Sequence, residues 1–551
     1  MHFHVTWAME PSGAACGHDA LDRRSGVGDR VDTPGRLPGV MMMSTQSAAR
    51  AGLVAAGHPA VAAAASEILD AGGNAFDAAV AAGFAAAVAE PALTSLAGGG
   101  FLLARTADGT ATFFDFFVDT PGLGADRAVE PHFTEVVVAF AAADQSFHCG
   151  PGSVAVPGVL DGYVHVHRRL GRLELAQVVA PARRLAIDGV PLGPAQSSVV
   201  ALLESILLRT AEGRALFAPR GALLQNGDRF YNPDFARTLD AIAAGAITAF
   251  ADAPVAAPLI EAMRSGNGLI TATDLAAYRV RERAPLSVPI GADTLLTAPA
   301  PSFGGRLLDA MIQRIWPSDT SHGAVDPVEF AQRFLGASID IENDRAVLLA
   351  ADADPARPIC ERGTTHISVC DAEGNVASMT TSNGECSGDV IEGTGILCNN
   401  ILGEDDLHPA GFHRFDPGVR VGSMMSPSIV VDASGAAKLV VGSGGSKRIR
   451  SAIAQVCWAV LVDGVPLTEA VERPRMHWDG TTIQAEPGLG RAVIDAIAEL
   501  APLNVWPESS LYFGGVHAVA PGAGSPGSAG ADPRRDGATG RSTPADTSEQ
   551  A

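Results

Sequence analysis

At Thr364 the texture of the chain changes, and that change limits the folds open to it. From Pro151 to about Arg345 the residues are largely of helical pattern, joined by short loops. Beyond Thr364 the pattern has period two: Thr364–Cys370 alternates, Asp371–Asn375 is a turn, and Val376–Ser382 alternates again. Ser428–Val431 and Lys438–Val441 bracket a second turn, Asp432–Gly435. The last of these strands runs into Gly442-Ser443-Gly444-Gly445-Ser446 and then a helix, Ile449–Leu461. Helical layers followed by paired antiparallel strands predict an α+β fold in which sheets and helices are stacked.

The first third supplies both kinds of element. Pro59–Leu69 is helical and stops at Gly72-Gly73. Asn74 opens a second helix whose bulky residues, Phe76, Val80, Phe84 and Val88, fall four apart, so one face is predicted to pack while the alanines allow close approach. Pro91 ends it. Gly98-Gly99-Gly100 leads into FLLART, the turn Ala107-Asp108-Gly109 and ATFFDFF, a hairpin. Thr271-Ala272-Thr273-Asp274 has the form of a helix start. Ala351–Gly363 is a polar segment without periodicity. The ends, residues 1–45 and 521–551, are rich in Gly, Pro and small polar residues and read as a disordered leader and a disordered tail.

Charge and cysteine usage narrow the function classes. The chain carries 39 Lys+Arg against 61 Asp+Glu, a formal net charge of −22, which disfavours nucleic acid or an anionic membrane as partner. The seven cysteines include no C-x-x-C pair, so a zinc ribbon and a thioredoxin-type motif are excluded and reduced, buried thiols are expected. The most apolar stretch, Ala75–Ala89, contains Asp77 and Gly83 and reads as a core helix. Met1–Val40 lacks the apolar run of an export signal, so a cytoplasmic location is expected. The histidine pairs His2/His4, His165/His167 and His408/His413 lack accompanying ligands at metal spacing. No metal and no organic cofactor is implied.

Two local features can carry chemistry. The glycines of 442–446 sit between a strand and a helix, where successive N–H groups bind an anion; a tight turn that needs glycine accounts for them equally well. The spacing fits neither a P-loop nor G-x-G-x-x-G. Gly363-Thr364-Thr365-His366 begins a strand, and His366 alternates to the face opposite Thr365. No G-x-S-x-G elbow is present.

Taken in order, these motifs resemble a known family. TTHISVCDAEGN, TTSNGECSG, GTGILCNN, SMMSP and GSGGS are similar to the small subunit of the γ-glutamyltranspeptidase (γ-glutamyltransferase) family. GHPAVAAAASEILDAGGNAFDAAVAAGFAAAVAEP, LAGGGFLL, SVAVPG, LITATDLAAYRV and PAPSFGG are similar to its N-terminal half. The resemblance covers roughly residues 50–520. It implies a four-layer αββα sandwich of the N-terminal-nucleophile hydrolase type and a precursor that cuts itself between Gly363 and Thr364. The large subunit is then 46–363 behind the leader, and the small subunit 364–520 ahead of the tail, held as a heterodimer. A threonine hydroxyl is a poor nucleophile unless a base is near, and the freed α-amine of the same residue, with a pKa near ~8, can be that base. Thr364 is thereby implied as the nucleophile that takes an acyl group from an amide and passes it to water or an amine.

Further roles follow from the same resemblance. Thr381 matches the threonine that hydrogen-bonds the nucleophile. Gly444 and Gly445 match the pair whose N–H groups form an oxyanion hole. Asn383 and the acidic run Glu404-Asp405-Asp406 match the residues at the substrate α-amino group, and Ser423 matches a serine at its α-carboxylate. Three departures stand out. Phe117 occupies the place of an arginine that pairs with the substrate carboxylate, and a bidentate guanidinium has no substitute in phenylalanine. Ser423-Met424 stands where the family has Ser-Ser. The strand after Asn375 is one residue shorter before Asn383. Three functions therefore remain open: a γ-glutamyl amidohydrolase or transferase, a threonine acylase for a different amide with an apolar group near Phe117, and a catalytically silent binding homologue.

Overall fold

In the computed structural model, residues 51–125, 130–140, 143–316, 325–345, 348, 359–360, 363–403, 412–522 and 526–543 are described, within the unit Ala48–Ala551. Two sheets hold most of the strands. The larger has seven, in the order Ala538–Arg541, Leu53–Ala56, Thr364–Cys370, Val376–Ser382, Gly99–Arg105, Ala111–Phe116, Arg281–Arg283. The second has six, in the order Ser528–Ala531, Gly515–Ala520, Ala437–Gly444, Ser428–Val431, Asp293–Thr297, Leu286–Ile290. Every pairing in both is antiparallel.

The turn between Thr364–Cys370 and Val376–Ser382 is held by one carboxylate. Asp371 Oδ1 accepts from the backbone N–H groups of Glu373, Gly374 and Asn375, which closes the hairpin and sets its register. Side chains then alternate between two environments. Ile367, Val369, Ala377 and Met379 join a core with the helices Pro59–Asp70, Ala75–Ala89 and Val159–Leu170. The opposite face meets the six-stranded sheet: the Ser378 hydroxyl donates to the Val441 carbonyl at 3.1 Å and that of Ser368 to the His517 carbonyl at 3.0 Å. Val440, Val441 and Val516 of that sheet share a second core with the helices Phe303–Ile315, Pro327–Asn343 and Arg448–Leu461.

Ala75–Ala89 differs from the one-sided packing its i+4 stripe predicts: all fifteen residues are buried. Alanine and glycine are the reason, because neighbours come close on every side. A Cβ at Gly83 would lie 2.4 Å from Tyr163 Cζ. The helix starts at Asn74, whose side chain accepts from the N–H groups of Phe76 and Asp77, while the Asp77 carboxylate accepts from the Asn74 N–H. The predicted start at Thr271 is likewise a capping box, with Asp274.

The expectation of a disordered tail over 521–551 is corrected for residues 526–543. Ser528–Ala531 extends the six-stranded sheet and Ala538–Arg541 the seven-stranded one. Between them Asp532, Arg534 and Arg535 are buried. Small residues fit the sheet edges, and backbone pairing with buried ions supplies the order that bulky apolar residues usually give. The leader, residues 1–45, lies outside the described residues. Cys149, Cys370, Cys386, Cys398 and Cys457 are buried free thiols. No helix among the described residues is long and apolar enough to cross a membrane.

Candidate active site

The Gly363–Thr364 junction opens an interior strand of the larger sheet, third of its seven. Gly363 has φ +45°, and a Cβ there would fall 1.7 Å from the Gly384 carbonyl oxygen, so only glycine fits. Its carbonyl accepts a hydrogen bond from the Ser382 hydroxyl at 2.5 Å, and that hydroxyl accepts from the Gly384 N–H at 3.1 Å. Thr364 is buried, with 2 % of its surface exposed.

Register decides which neighbour shares the face of Thr364. Thr364 is opposed by Ser382, and Ser382 in turn by Gly99. Directly opposed residues of antiparallel strands project to the same side. Thr381, the sequence-based candidate, is opposed by Thr365, which places both on the helix-facing side. Its hydroxyl is 2.9 Å from that of Thr94. The expectation that Thr381 bonds Thr364 is therefore not met by this register, in which Ser382 is the residue opposite Thr364. Counting from the turn residue Asn375 along the strand, instead of matching threonine to threonine, finds Ser382.

The glycine-rich loop closes over the same junction. Ala437–Gly444 pairs with Gly515–Ala520 and ends at the loop, whose Gly445 has φ +119°. A Cβ at Gly444 would lie 2.3 Å from the Thr364 carbonyl oxygen, and one at Gly442 2.2 Å from His366 Cε1. The loop is thus pressed closely on the strand Thr364–Cys370. Gly444 lies against the Thr364 carbonyl, and Gly445, the next residue, packs against Gly514. His366 is a satisfied core histidine: its ring nitrogens lie 2.7 Å from Thr380 Oγ1 and 3.0 Å from Ser368 Oγ. Burial, with His517 adding to it, holds it well below the usual histidine range, so it is neutral.

Two buried charged groups flank the strand that motif matching missed. Arg535 Nη1 donates to the Thr364 carbonyl at 3.0 Å. Burial, then Arg448, push its pKa down to about 10 against the pull of Asp532 and Glu90. Glu90, at the end of Ala75–Ala89, is pushed up to about 7 by burial, opposed by the Thr365 hydroxyl and Arg535. Neither residue has a sequence signal, since Arg535 sits in a segment of disordered composition and Glu90 reads as an ordinary helix end.

The substrate-recognition candidates divide. Asn383 Nδ2 donates to the Cys398 carbonyl and to Cys386 Sγ, both at 3.2 Å, and its Oδ1 is buried without a partner among the described residues. Ser423 is buried and accepts from the Met425 N–H at 3.2 Å; its backbone pairs in parallel with Cys360, just ahead of the junction. Glu404, Asp405 and Asp406 lie outside the described residues. Phe117 is fully buried, its ring 5.5 Å from that of Phe101. A Cβ on Gly99 would meet Phe117 Cδ2 at 2.7 Å, so this ring continues the row Thr364, Ser382, Gly99. A guanidinium bonded to the Phe117 backbone, that of Arg420, is committed elsewhere: it is fully buried, donates to the carbonyls of Phe117 and Arg279, and pairs with Asp119 at 3.2 Å. Among the described residues no three His, Cys, Asp or Glu side chains are grouped to hold a metal.

Comparison with known proteins extends these observations. The family model for gamma-glutamyltranspeptidase matches residues 61–356 and 329–541. The acylase ACY 1 proenzyme of Pseudomonas sp. (strain SE83) is 32% identical over 505 residues, 85% of this chain and 89% of that protein. The glutathione hydrolase proenzyme of Pseudomonas aeruginosa is 32% identical over 478 residues, 77% of this chain and 82% of the relative. Among solved structures, a cephalosporin acylase from Bacillus halodurans superposes with a TM-score of 0.74 at 22% identity, over 89% of this chain and 96% of that one, a likeness of fold.

Proposed function

Because the chain belongs to the gamma-glutamyltranspeptidase family, we propose that it is a self-processing threonine amidohydrolase whose acyl donor is recognised without a guanidinium clamp, an acylase more than a glutathione hydrolase. The observation that carries this is the Gly363–Thr364 junction: a glycine held at φ +45° with its carbonyl on the Ser382 hydroxyl, directly ahead of a buried threonine. In self-cleavage the Thr364 hydroxyl oxygen attacks the Gly363 carbonyl carbon. The C–N bond breaks to give an ester and a free α-amine, and water hydrolyses the ester to a carboxylate on Gly363. In turnover the α-amine takes the hydroxyl proton while the oxygen attacks an amide carbonyl, and the leaving amine departs with that proton. Gly444 and Gly445 supply N–H groups to the developing oxyanion, and Ser382 supplies a hydroxyl to the nucleophile. We read the packing of the two sheets and their flanking helices as the four-layer αββα sandwich of the N-terminal-nucleophile hydrolases. Residues 364–543 then form the small subunit of a heterodimer whose substrate is a small-molecule amide.

Donor choice rests on Phe117. Its buried ring lines the row that starts at Thr364, and Arg420 has no free donor pair to offer a carboxylate. The relatedness to an acylase proenzyme supports the same choice. A γ-glutamyl donor is the second reading, favoured by Asn383, whose buried Oδ1 has no partner among the described residues. Purified protein run on a denaturing gel, with N-terminal sequencing and a panel of γ-glutamyl and simple acyl anilides, tests both. Two fragments, the smaller beginning at Thr364, and faster release from the acyl anilides are expected. Thr364→Ala is expected to remain one chain and to be inactive; turnover by that variant removes the mechanism.

A further inference from the structure

Arg535 is the group whose placement the proposed chemistry has not yet used. It is buried, and among the described residues no carboxylate lies within ion-pair distance of it, whereas its neighbours Arg475 and Arg534 pair with Asp532 and Glu486. Its Nε is buried without a hydrogen-bond partner among the described residues. Burying a guanidinium with so few acceptors is costly, and a residue needed only to fill space would not keep its charge. The acceptor it does have is the Thr364 carbonyl. Glycines leave it room on three sides: a Cβ would fall 2.3 Å from Arg535 Cδ at Gly515, 3.1 Å from Nη1 at Gly444 and 3.7 Å from Nη2 at Gly445.

Resting on the function proposed above, we infer that Arg535 is a positioning residue that pins the carbonyl of Thr364 against the Gly444–Gly445 loop. It thereby fixes the nucleophile relative to the N–H groups that receive the oxyanion. The bond is made to the backbone of Thr364, so it is present before and after self-cleavage and serves both reactions. A misplacement of the nucleophile acts on the chemical step and leaves ground-state binding of the amide largely alone.

The test compares Arg535→Gln and Arg535→Lys with the parent, using the anilide that the parent turns over fastest, the rate of precursor cleavage on gels and thermal unfolding. Arg535→Gln is expected to lower kcat and the cleavage rate by about 100-fold, with KM within about threefold. Arg535→Lys keeps the charge without the planar fork and is expected to recover about tenfold of the loss. Turnover and cleavage by Arg535→Gln within about threefold of the parent overturn the inference. A fall in kcat, a rise in KM and a lowered Tm that lysine does not relieve also overturn it, because that pattern is stability alone. Should Arg535→Gln not fold, Arg535→Lys decides: lower kcat at unchanged Tm supports the inference, and unchanged kcat overturns it. A parent that turns over while still joined at Gly363–Thr364 sinks the function and this inference together; a parent cut there, with indifferent Arg535 variants, sinks only the latter.

Discussion

The Ser382 hydroxyl lies 2.5 Å from the Gly363 carbonyl oxygen, which the proposed self-cleavage would polarise, on the face that Thr364 shares. Thr381 is one residue away and on the other side of the sheet, bonded to Thr94. The two hydroxyls are therefore expected to fail differently. Ser382→Ala removes a donor to the Gly363 carbonyl oxygen, which gains negative charge in the proposed cleavage, and a hydroxyl beside the proposed nucleophile in turnover, and should slow both by about 100-fold. Thr381→Ala loses one buried neutral hydrogen bond, about 1 kcal/mol of stability, with little effect on rate. Gel time courses and initial rates on both variants check this; a slow Thr381→Ala beside a normal Ser382→Ala would reverse the assignment. The residue types here were legible from sequence while the register was not. A strand with period two changes face with each residue, so a local difference of one residue before Asn383 moved the match from Ser382 to Thr381. The need for glycine at 444 and 445 is explained by the close approach of Gly444 to the Thr364 carbonyl and by the positive φ of Gly445.

Among the elements, Ala75–Ala89 shows how packing extends what a stripe predicts. The phenylalanines and valines at i+4 mark one packed face, but Gly83 and the alanines let Tyr163 and the hairpin of Thr364–Cys370 and Val376–Ser382 close the others. The helix delivers Glu90 at its C-terminal end into the core beneath Thr365. A Cβ at Gly57 would lie 2.5 Å from Glu90 Oε2 and 2.8 Å from Thr365 Oγ1, and Oε1 has no hydrogen-bond partner among the described residues. With its pKa raised from 4.5 to about 7, the folded chain holds the Glu90 proton more tightly than the unfolded chain does. Its contribution to stability is then fully present below the ordinary carboxyl pKa and is lost as pH rises through about 7. Glu90→Gln, which cannot ionise, should be more stable than the parent at pH 8 by on the order of 1–3 kcal/mol and nearly equal to it at pH 4. Urea unfolding at the two pH values measures this; equal differences at both would show that burial does not govern this carboxyl.

For the whole molecule, the proposed cut after Gly363 would divide an interleaved structure. In the larger sheet Leu53–Ala56, upstream of Gly363, lies between Ala538–Arg541 and Thr364–Cys370, both downstream of it. Val376–Ser382 then pairs with upstream Gly99–Arg105, and in the second sheet Ser428–Val431 pairs with upstream Asp293–Thr297. The change of texture at Thr364 made a layered fold legible, since periods of 3.6 and two announce helices and strands whatever their partners. The interleaving was not legible, because pairing across hundreds of residues leaves no local mark. The strands at 528–531 and 538–541 were hidden for a second reason: their alanines and glycines carry no pattern, and their order comes from sheet edges and from Asp532 bonded to Arg475 and Arg534. The consequence can be measured. Separating the two fragments requires breaking these four strand pairings at once and exposing both hydrophobic cores, so cleavage should leave association unchanged. After cleavage the fragments are expected to elute together on gel filtration at nanomolar concentration and to part only in denaturant, at the midpoint where far-UV circular dichroism is lost. Fragments that separate in buffer while keeping their secondary structure would show that each half folds by itself, which this topology forbids.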